Sequence, residues 1–157
     1  RSIQEAERSN GHLVLVLLDV DHFKQVNDQW GHEGGDMALQ HICQILQQRL
    51  RVTDLLGRLG GEEFGLLLRH TDSAGAGPLV ETLRQQIAEQ PLDYDGEQIA
   101  LSATFGLATW PEDGRSAAEL YRSADRRLYS GKARGRNQLV SADLPAELLL
   151  DKFDVRL

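Results

Sequence analysis

The segment RLGGEEFGLLL, from Arg58 to Leu68, decides the fold. Gly60 and Gly61 separate two short apolar runs, DLLGRL and EFGLLL, in the manner of two-residue turns that join antiparallel strands. Both glycines can adopt a positive φ, so we expect a β-hairpin with its turn at this pair. Glu62 and Glu63 follow directly and place adjacent carboxylates where the second strand begins.

A second acidic segment, HLVLVLLDVD, lies upstream of the hairpin. Its continuous apolar run predicts a strand that is buried on both faces. Alternation puts Asp19 and Asp21 on one face, at the carboxyl end where open α/β sheets often bind ligands. If this strand neighbours the hairpin, the backbones lie about 4.8 Å apart, and the acids of both segments repel each other unless a divalent cation such as Mg²⁺ joins them. The alternative is an ordinary solvated turn.

The remaining patterns alternate between helices and strands. The opening residues Ser2 to Ser9 have helical spacing, and HFKQVNDQWGHEGGD predicts a short helix, a glycine-rich loop and a new helix with Asp36 as N-cap. A third pattern predicts a helix through Leu79, followed by a turn-rich segment, PLDYDGEQ, and a strand, IALSATFGLATW. Ser116 caps a last helix, and NQLV forms a short strand. The expected order is α-β-α-α-β-β-α-β-α-β.

Composition bounds the class of protein. The 157 residues are 41% hydrophobic and 26% charged, which is typical of one soluble domain. The net charge of -7 argues against non-specific binding to nucleic acid. We expect a single domain over residues 1–157 with its core at about 13–140, an N-terminus that was trimmed from a longer protein, and a tail at 141–157 with no assigned role.

Other metal sites fit poorly. An EF-hand starting at Asp19 would need oxygen ligands where Phe23 and Trp30 stand and a glycine where Lys24 stands. The five histidines and Cys43 lack the spacing of a zinc site. A metal-dependent glycosyl or nucleotidyl transferase that uses Asp19-x-Asp21 is a further hypothesis.

Several polar residues suit a nucleotide, although each has a plainer explanation. Lys24 could hold a phosphate or lie on the surface. Asn27, His32 and Asp36 could meet a guanine edge, or could serve as turn and capping residues. Lys132 and Arg136 lie near a helix C-terminus, where cations are favourable in any case.

Five ordered segments resemble the GGDEF family of diguanylate cyclases: DVDHFKQVND, GHEGGDMAL, RVTDLLGRLGGEEF, SATFGLA and ADRRLYSGKARGRN. The resemblance covers about residues 13–140, with GGEEF in place of GGDEF. It implies an α/β (α+β) fold in which a mostly antiparallel five-stranded sheet is flanked by helices, like the palm of nucleotidyl cyclases and polymerases, with a ferredoxin-like core.

The resemblance also implies an activity. Two domains, each with one GTP, meet head-to-tail, and each 3'-hydroxyl attacks the α-phosphate of the other GTP. Pyrophosphate leaves and cyclic di-GMP forms, with Mg²⁺ or Mn²⁺ as cofactor. The domain is expected to be cytoplasmic, in a parent protein that carries a regulatory or sensor domain and could be membrane-anchored.

The resemblance assigns roles by position. Asp19, the Val20 carbonyl and Glu63 would hold the metal, with Glu62 as general base or as a further ligand. Lys24 would stabilise the transition state beside the Phe23 backbone N–H. The phosphates would bind Lys132 and Arg136, and guanine would bind Asn27 and Asp36, with His32 beside them.

The family also has a product-binding feedback site, whose RxxD pattern fits Arg51 and Asp54. A second arginine that many members carry on the next helix is replaced by Thr82, with Arg84 nearby, so we expect weak feedback. The second hypothesis is a catalytically weak module that binds GTP or cyclic di-GMP and signals by contact.

Overall fold

The computed structural model describes residues 2–9 and 11–145. The elements in chain order are α1 (Ser2–Ser9), β1 (Leu13–Val20), α2 (Phe23–Arg49), β2 (Leu55–Gly60), β3 (Glu63–Arg69), α3 (Ser73–Glu89), β4 (Leu92–Tyr94), β5 (Glu97–Ile99), β6 (Ala103–Trp110), α4 (Ala117–Ala133) and β7 (Leu139–Val140). Most of the predicted tail, from residue 146 onward, lies outside the described residues.

Five strands form one sheet in the order β2-β3-β1-β6-β7. All pairs are antiparallel except β6 with β7, which is parallel. The predicted five-stranded, mostly antiparallel sheet with flanking helices is therefore confirmed. The central position of β1 brings its carboxyl end beside the hairpin β2–β3 on one side and β6 on the other.

Helices cover both faces of β1, as its apolar run predicted. Val14, Val16 and Leu18 pack in the larger core cluster with α2 and α3. Leu13 and Leu17 pack in a second cluster with α1 and α4. The side chain of Asp19 belongs to this second face, so it points toward α4 rather than toward α2.

The helix α2 differs from the prediction of two helices joined by a loop. It runs through residues 23–49 with a single non-helical residue, Gly31, at φ 76° and ψ 172°. Asp36 therefore lies inside the second helical segment, and its prediction as an N-cap is wrong. The glycines suggested a loop, but one residue with positive φ is enough to redirect the chain.

A small second sheet, β4–β5, stands where a turn was predicted, and the predicted strand at residues 99–110 begins only at Ala103. Asp95 and Gly96 both have positive φ, 51° and 82°, which is the geometry of a tight two-residue hairpin turn. Tyr94 packs edge-to-face on Trp30, with ring centroids 6.3 Å apart. This contact anchors the small hairpin against the first segment of α2.

The helix α4 begins as predicted, because the Ser116 hydroxyl accepts a hydrogen bond from the Glu119 amide at 3.1 Å. It packs closely on β6 at Gly106, where a Cβ would meet the backbone of Ala124 and Leu128. The buried Arg127 donates to the Leu107 carbonyl at 2.8 Å and pairs with Asp113. Burial alone would raise the pKa of Asp113. The hydrogen bond from Arg127 contributes to the opposite effect, and the net shift of the pKa is downward.

No helix within residues 2–9 and 11–145 combines the length and the apolar character needed to cross a bilayer.

Candidate functional site

Carboxylates from β1 and the hairpin meet at one end of the sheet. Asp19 is the direct antiparallel partner of Glu63, and the Val20 amide donates to the Glu62 carbonyl at 3.2 Å. Directly opposed residues of an antiparallel pair project on the same face, so both carboxylates lie together. The predicted convergence of the two acidic segments is confirmed.

The hairpin forms as predicted, but its turn differs in detail. Gly60 ends β2, the turn lies at Gly61 and Glu62, and neither glycine is among the residues with positive φ. The register shifts between Arg58 and Gly60, which is a bulge-like irregularity. Arg58 then donates from Nε and Nη2 to the Gly61 carbonyl at 2.9 and 2.6 Å and braces the turn that carries the glutamates.

Asp19 has a counter-ion from the far end of the chain. The Lys132 ammonium of α4 lies 2.5 Å from Asp19 Oδ2. Burial raises the pKa of Asp19, and the nearby charges of Glu62 and Asp21 add to this, while Lys132 opposes it. The net shift of the pKa is upward, and its largest cause is the burial of the carboxylate.

The carboxylate of Glu63 is only partly hydrogen-bonded. Its Oε1 atom is buried and has no hydrogen-bond partner in the described part of the chain. Burial raises the pKa of Glu63, and the charges of Asp19 and then Asp125 raise it further, against smaller effects of Lys132 and the Tyr121 hydroxyl. A buried, unpaired carboxylate oxygen beside a second carboxylate is an arrangement that a cation would stabilise.

A magnesium ion fits this chemistry with few protein ligands. Among the described residues, no group of three or more His, Cys, Asp or Glu side chains forms a metal-holding set. Mg²⁺ often takes only one or two carboxylates, and completes its coordination with water and substrate phosphates. Asp19 and Glu63 with the adjacent Val20 carbonyl are sufficient for such a site, and Glu62 lies close enough to Asp19 to affect its pKa.

A cleft of about 300 Å³ adjoins the acidic pair. It is lined by Asp19, Val20, Asp21, His22, Phe23, Lys24, Gln25, Glu62, Lys132 and Arg136. Three of these residues are cationic, and the cleft lies at the N-terminus of α2, where the first amides have no intrahelical acceptor. The N-cap, His22, makes no side-chain capping bond. Basic side chains and a helix N-terminus together favour an anion beside the carboxylates.

The predicted guanine residues lie along α2 on both sides of the kink. A Cβ at Gly35 would collide with Asn27 Oδ1 and would lie 3.2 Å from Phe23 Cζ, so the Asn27 amide lies against the backbone next to Asp36. Asp36 lines a second cleft of about 480 Å³ between α2 and the hairpin. His32 is exposed directly after the kink and lines neither cleft.

Comparison with known proteins agrees with this arrangement. Residues 1–138 match the family described as "Diguanylate cyclase, GGDEF domain". The chain belongs to the GGDEF family of diguanylate cyclases. The GGDEF domain is 38% identical over 140 residues to diguanylate cyclase DgcP of Pseudomonas aeruginosa, a match that covers 88% of this chain and 21% of that protein.

Solved structures of GGDEF domains superpose closely. An active GGEEF domain of a diguanylate cyclase from Vibrio cholerae has a TM-score of 0.84 at 31% identity, covering 92% of this chain and 91% of that one. The GGDEF domain of DgcB from Caulobacter crescentus, in complex with c-di-GMP, has a TM-score of 0.85 at 28% identity, covering 92% and 83%. The chain spans less than two thirds of the length of the curated relatives it matches.

Of the two predicted feedback residues of the GGDEF domain, Arg51 lines a separate cleft of about 530 Å³, formed with His12, His70 and the start of α3, whereas Asp54 does not line it. Arg51 donates from Nε and Nη2 to the buried Asp54 carboxylate at 3.3 and 3.1 Å. It also donates to Thr71 Oγ1 at 2.7 Å. Arg84 does not line this cleft; it pairs with Glu81 and donates a hydrogen bond to Asn137 Oδ1.

Sequence reasoning missed several residues that line the cleft beside Asp36. On α2, Gln40, Cys43 and Gln47 follow Asp36 at intervals of four, seven and eleven residues, which is one helical face. Arg58 of β2 lines the opposite side. This spacing is visible in the sequence, but Leu39, Ile42 and Leu46 dominate the apolar periodicity of the helix and conceal it.

Proposed function

We propose that this domain is a diguanylate cyclase that condenses two GTP molecules into cyclic di-GMP with release of two pyrophosphates. The observation that carries the proposal is the opposed pair Asp19 and Glu63, with a buried, unpartnered oxygen, beside a cleft lined by Lys24, Lys132 and Arg136. The similarity to an active GGEEF domain supports the same activity.

The residues of the cleft bind and orient the triphosphate. Lys132 and Arg136 approach from the end of α4 and are suited to the β- and γ-phosphates. Lys24 and the Phe23 amide, at the start of α2, are suited to the charge that develops at the α-phosphate. Asp19, Glu63 and the Val20 carbonyl would hold Mg²⁺ or Mn²⁺, which when bound neutralises phosphate charge and lowers the barrier to attack by a hydroxyl.

Glu62 is suited to accept a proton. It is half-buried in the turn and lines the same cleft as Asp19. In the proposed reaction a GTP 3'-hydroxyl loses its proton to Glu62 as its oxygen attacks the α-phosphorus of the second GTP, and the α–β phosphoanhydride bond breaks to release pyrophosphate. A role of Glu62 as a further metal ligand remains an alternative within the same proposal.

Guanine would be recognised by Asn27 and Asp36, with His32 beside them. An amide and a carboxylate match the donor and acceptor pattern of the guanine edge. Because each active site supplies one GTP, the second GTP comes from another copy of the domain, arranged head-to-tail. We place this reaction in the cytoplasm, where GTP is available, in a parent protein whose additional domains control it.

The test uses the purified domain with GTP and Mg²⁺ and measures cyclic di-GMP and pyrophosphate by chromatography. Glu62→Ala is expected to lower turnover by at least about 100-fold, the usual contribution of a general base. Glu97→Ala, at an exposed position in β5, is the matched control and should retain wild-type turnover. Absence of product from the wild-type domain at high concentration, or full activity of Glu62→Ala, would contradict the proposal.

A binding module is the second candidate, favoured by one observation. The Arg51 cleft lies apart from the acidic pair and is already held in shape by Asp54 and Thr71. For a module without turnover, calorimetry would show cyclic di-GMP binding that Arg51→Ala abolishes, together with no product from GTP.

A further inference from the structure

Asp21 lies two residues after Asp19, as a second metal ligand could, but its carboxylate is occupied by hydrogen bonds within the protein. Its side chain is 7% exposed at the end of β1. Its Oδ1 accepts a hydrogen bond from Thr104 Oγ1 at 2.6 Å, and its Oδ2 accepts from Ser102 Oγ at 2.7 Å and from the Asn137 amide at 3.0 Å. These donors satisfy the carboxylate, so Asp21 joins β1 to the start of β6 and to the loop after α4.

That loop has an unusual backbone. Gly135, Arg136 and Asn137 all have positive φ, at 116°, 62° and 47°. Two successive non-glycine residues in this region are unfavourable and persist only where the surroundings hold them. The Asn137 amide also lies 3.1 Å from Thr104 Oγ1, in addition to its bond with Asp21.

A second contact holds the same residue from α3. Arg84 Nη1 donates to Asn137 Oδ1 at 2.9 Å. Arg84 is itself fixed by Glu81, which accepts hydrogen bonds from its Nε and Nη2 atoms. Asn137 is therefore held through its backbone by Asp21 and through its side chain by Arg84.

We propose that Asp21 and Arg84 are positioning residues for the triphosphate site: by holding Asn137 they maintain the left-handed loop that directs Arg136 into the cleft. Arg136 precedes Asn137 directly, and its Nη1 donates to the Lys132 carbonyl at 3.2 Å, which connects the loop to the end of α4. The inference rests on the proposed function, since it assigns the triphosphate of GTP to these cations.

The test compares Arg84→Met with Arg84→Lys, which keeps a donor for Asn137. The readouts are affinity for a non-hydrolysable GTP analogue with Mg²⁺, the KM and kcat for GTP, and amide hydrogen exchange at Arg136 and Asn137 without nucleotide. We expect Arg84→Met to speed exchange at Asn137, to weaken analogue binding about 5- to 10-fold and to raise KM more than it lowers kcat. Arg84→Lys should recover most of the affinity.

Arg126→Met is the control, because Arg126 forms an exposed ion pair with Asp143 on the same molecule. It should leave analogue binding within about twofold. Asp21→Asn, which removes one acceptor but keeps the size, should give the same direction of change as Arg84→Met. Circular dichroism establishes that each variant is folded at the temperature of the assay.

The outcomes separate the two proposals. If the wild-type domain binds the analogue and Arg84→Met binds it with an affinity within about twofold of the wild type, the positioning role is overturned and the proposed function stays intact. A folded wild-type domain that binds neither GTP nor the analogue would overturn the proposed function, and the positioning role with it.

Discussion

The environment of Asp19 is assembled from segments that are distant in sequence. Its antiparallel partner, Glu63, comes from the hairpin, and its counter-ion, Lys132, is 113 residues away in the chain. The ammonium pairs with an oxygen that the proposed metal ion would also use. Since Lys132 also lines the cleft that is proposed to bind phosphate, we expect it to exchange Asp19 for a phosphate group when metal and nucleotide bind.

Lys132→Met should change metal binding and nucleotide binding in opposite directions. Without nucleotide, the affinity for Mg²⁺ or Mn²⁺ should rise several-fold, because no ammonium competes for Asp19. With metal present, GTP affinity should fall about tenfold through loss of a charge-assisted contact to phosphate. Calorimetry measures both.

Lys24→Met is the matched control for Lys132→Met. Lys24 lines the same cleft but is exposed, and Asp19 pairs with Lys132 instead. Its substitution should weaken GTP binding and leave metal affinity unchanged. A Lys132→Met domain whose metal affinity falls would disprove the exchange of partners.

The helix α2 consists of two segments, and the junction between them positions the residues that are proposed to bind guanine. Gly31 redirects the chain with its positive φ, and Gly35 allows Asn27 of the first segment to approach the second. Residues eight apart on a straight helix would be about 12 Å apart along the axis. The kink thus brings Asn27 beside Asp36, which no continuous helix would do.

Gly35→Ala tests this close approach. The new methyl group would force the Asn27 amide to rotate, so GTP affinity should fall about 5- to 10-fold. The free energy of unfolding should change by less than about 1 kcal/mol, because crowding of a movable side chain is offset by the higher helix propensity of alanine. Calorimetry and urea denaturation measure the two quantities.

Gly77→Ala in α3 provides the comparison for Gly35→Ala, because a Cβ at Gly77 meets nothing within 4 Å. It should leave GTP affinity unchanged, and the free energy of unfolding should change by less than about 1 kcal/mol, because the higher helix propensity of alanine is opposed by the contact of its Cβ with the following Pro78. If Gly35→Ala behaved in the same way, the packing of Asn27 on Gly35 would have no part in recognition.

The whole domain carries a net charge of -7 and yet is proposed to bind a polyanion. In the cleft, the positive charges of Lys24, Lys132 and Arg136, together with the proposed metal ion at Asp19 and Glu63, would compensate the negative charge of the nucleotide. One domain holds only half of the proposed reaction, because the attacking hydroxyl and the attacked phosphate belong to different GTP molecules. Activity should therefore depend on the encounter of two copies.

The rate per domain should rise with protein concentration, so that at low concentration the initial velocity grows with the square of the concentration. Fusion to a dimeric coiled coil should make the velocity proportional to concentration, because the encounter is then intramolecular. Pyrophosphate release measures the velocity, and sedimentation measures the oligomeric state. A constant rate per domain in a monomeric sample would show that one copy is sufficient.

The sequence by itself determined the local parts of this protein. Apolar continuity predicted β1, the glycine pair predicted the hairpin, and Ser116 predicted the start of α4, because strand burial, turn chemistry and capping depend on residues close together in the chain. The sheet and the convergence of the two acidic segments followed from these elements and from the family resemblance.

Only the tertiary structure decided what each carboxylate does. Alternation gives Asp19 and Asp21 the same face, but Asp19 meets Glu63 and Lys132, whereas Asp21 is satisfied by Ser102, Thr104 and Asn137. The physical reason is that a carboxylate's role depends on which donors and charges reach it. Those donors come from β6 and the end of α4, whose approach depends on the packing of the whole sheet.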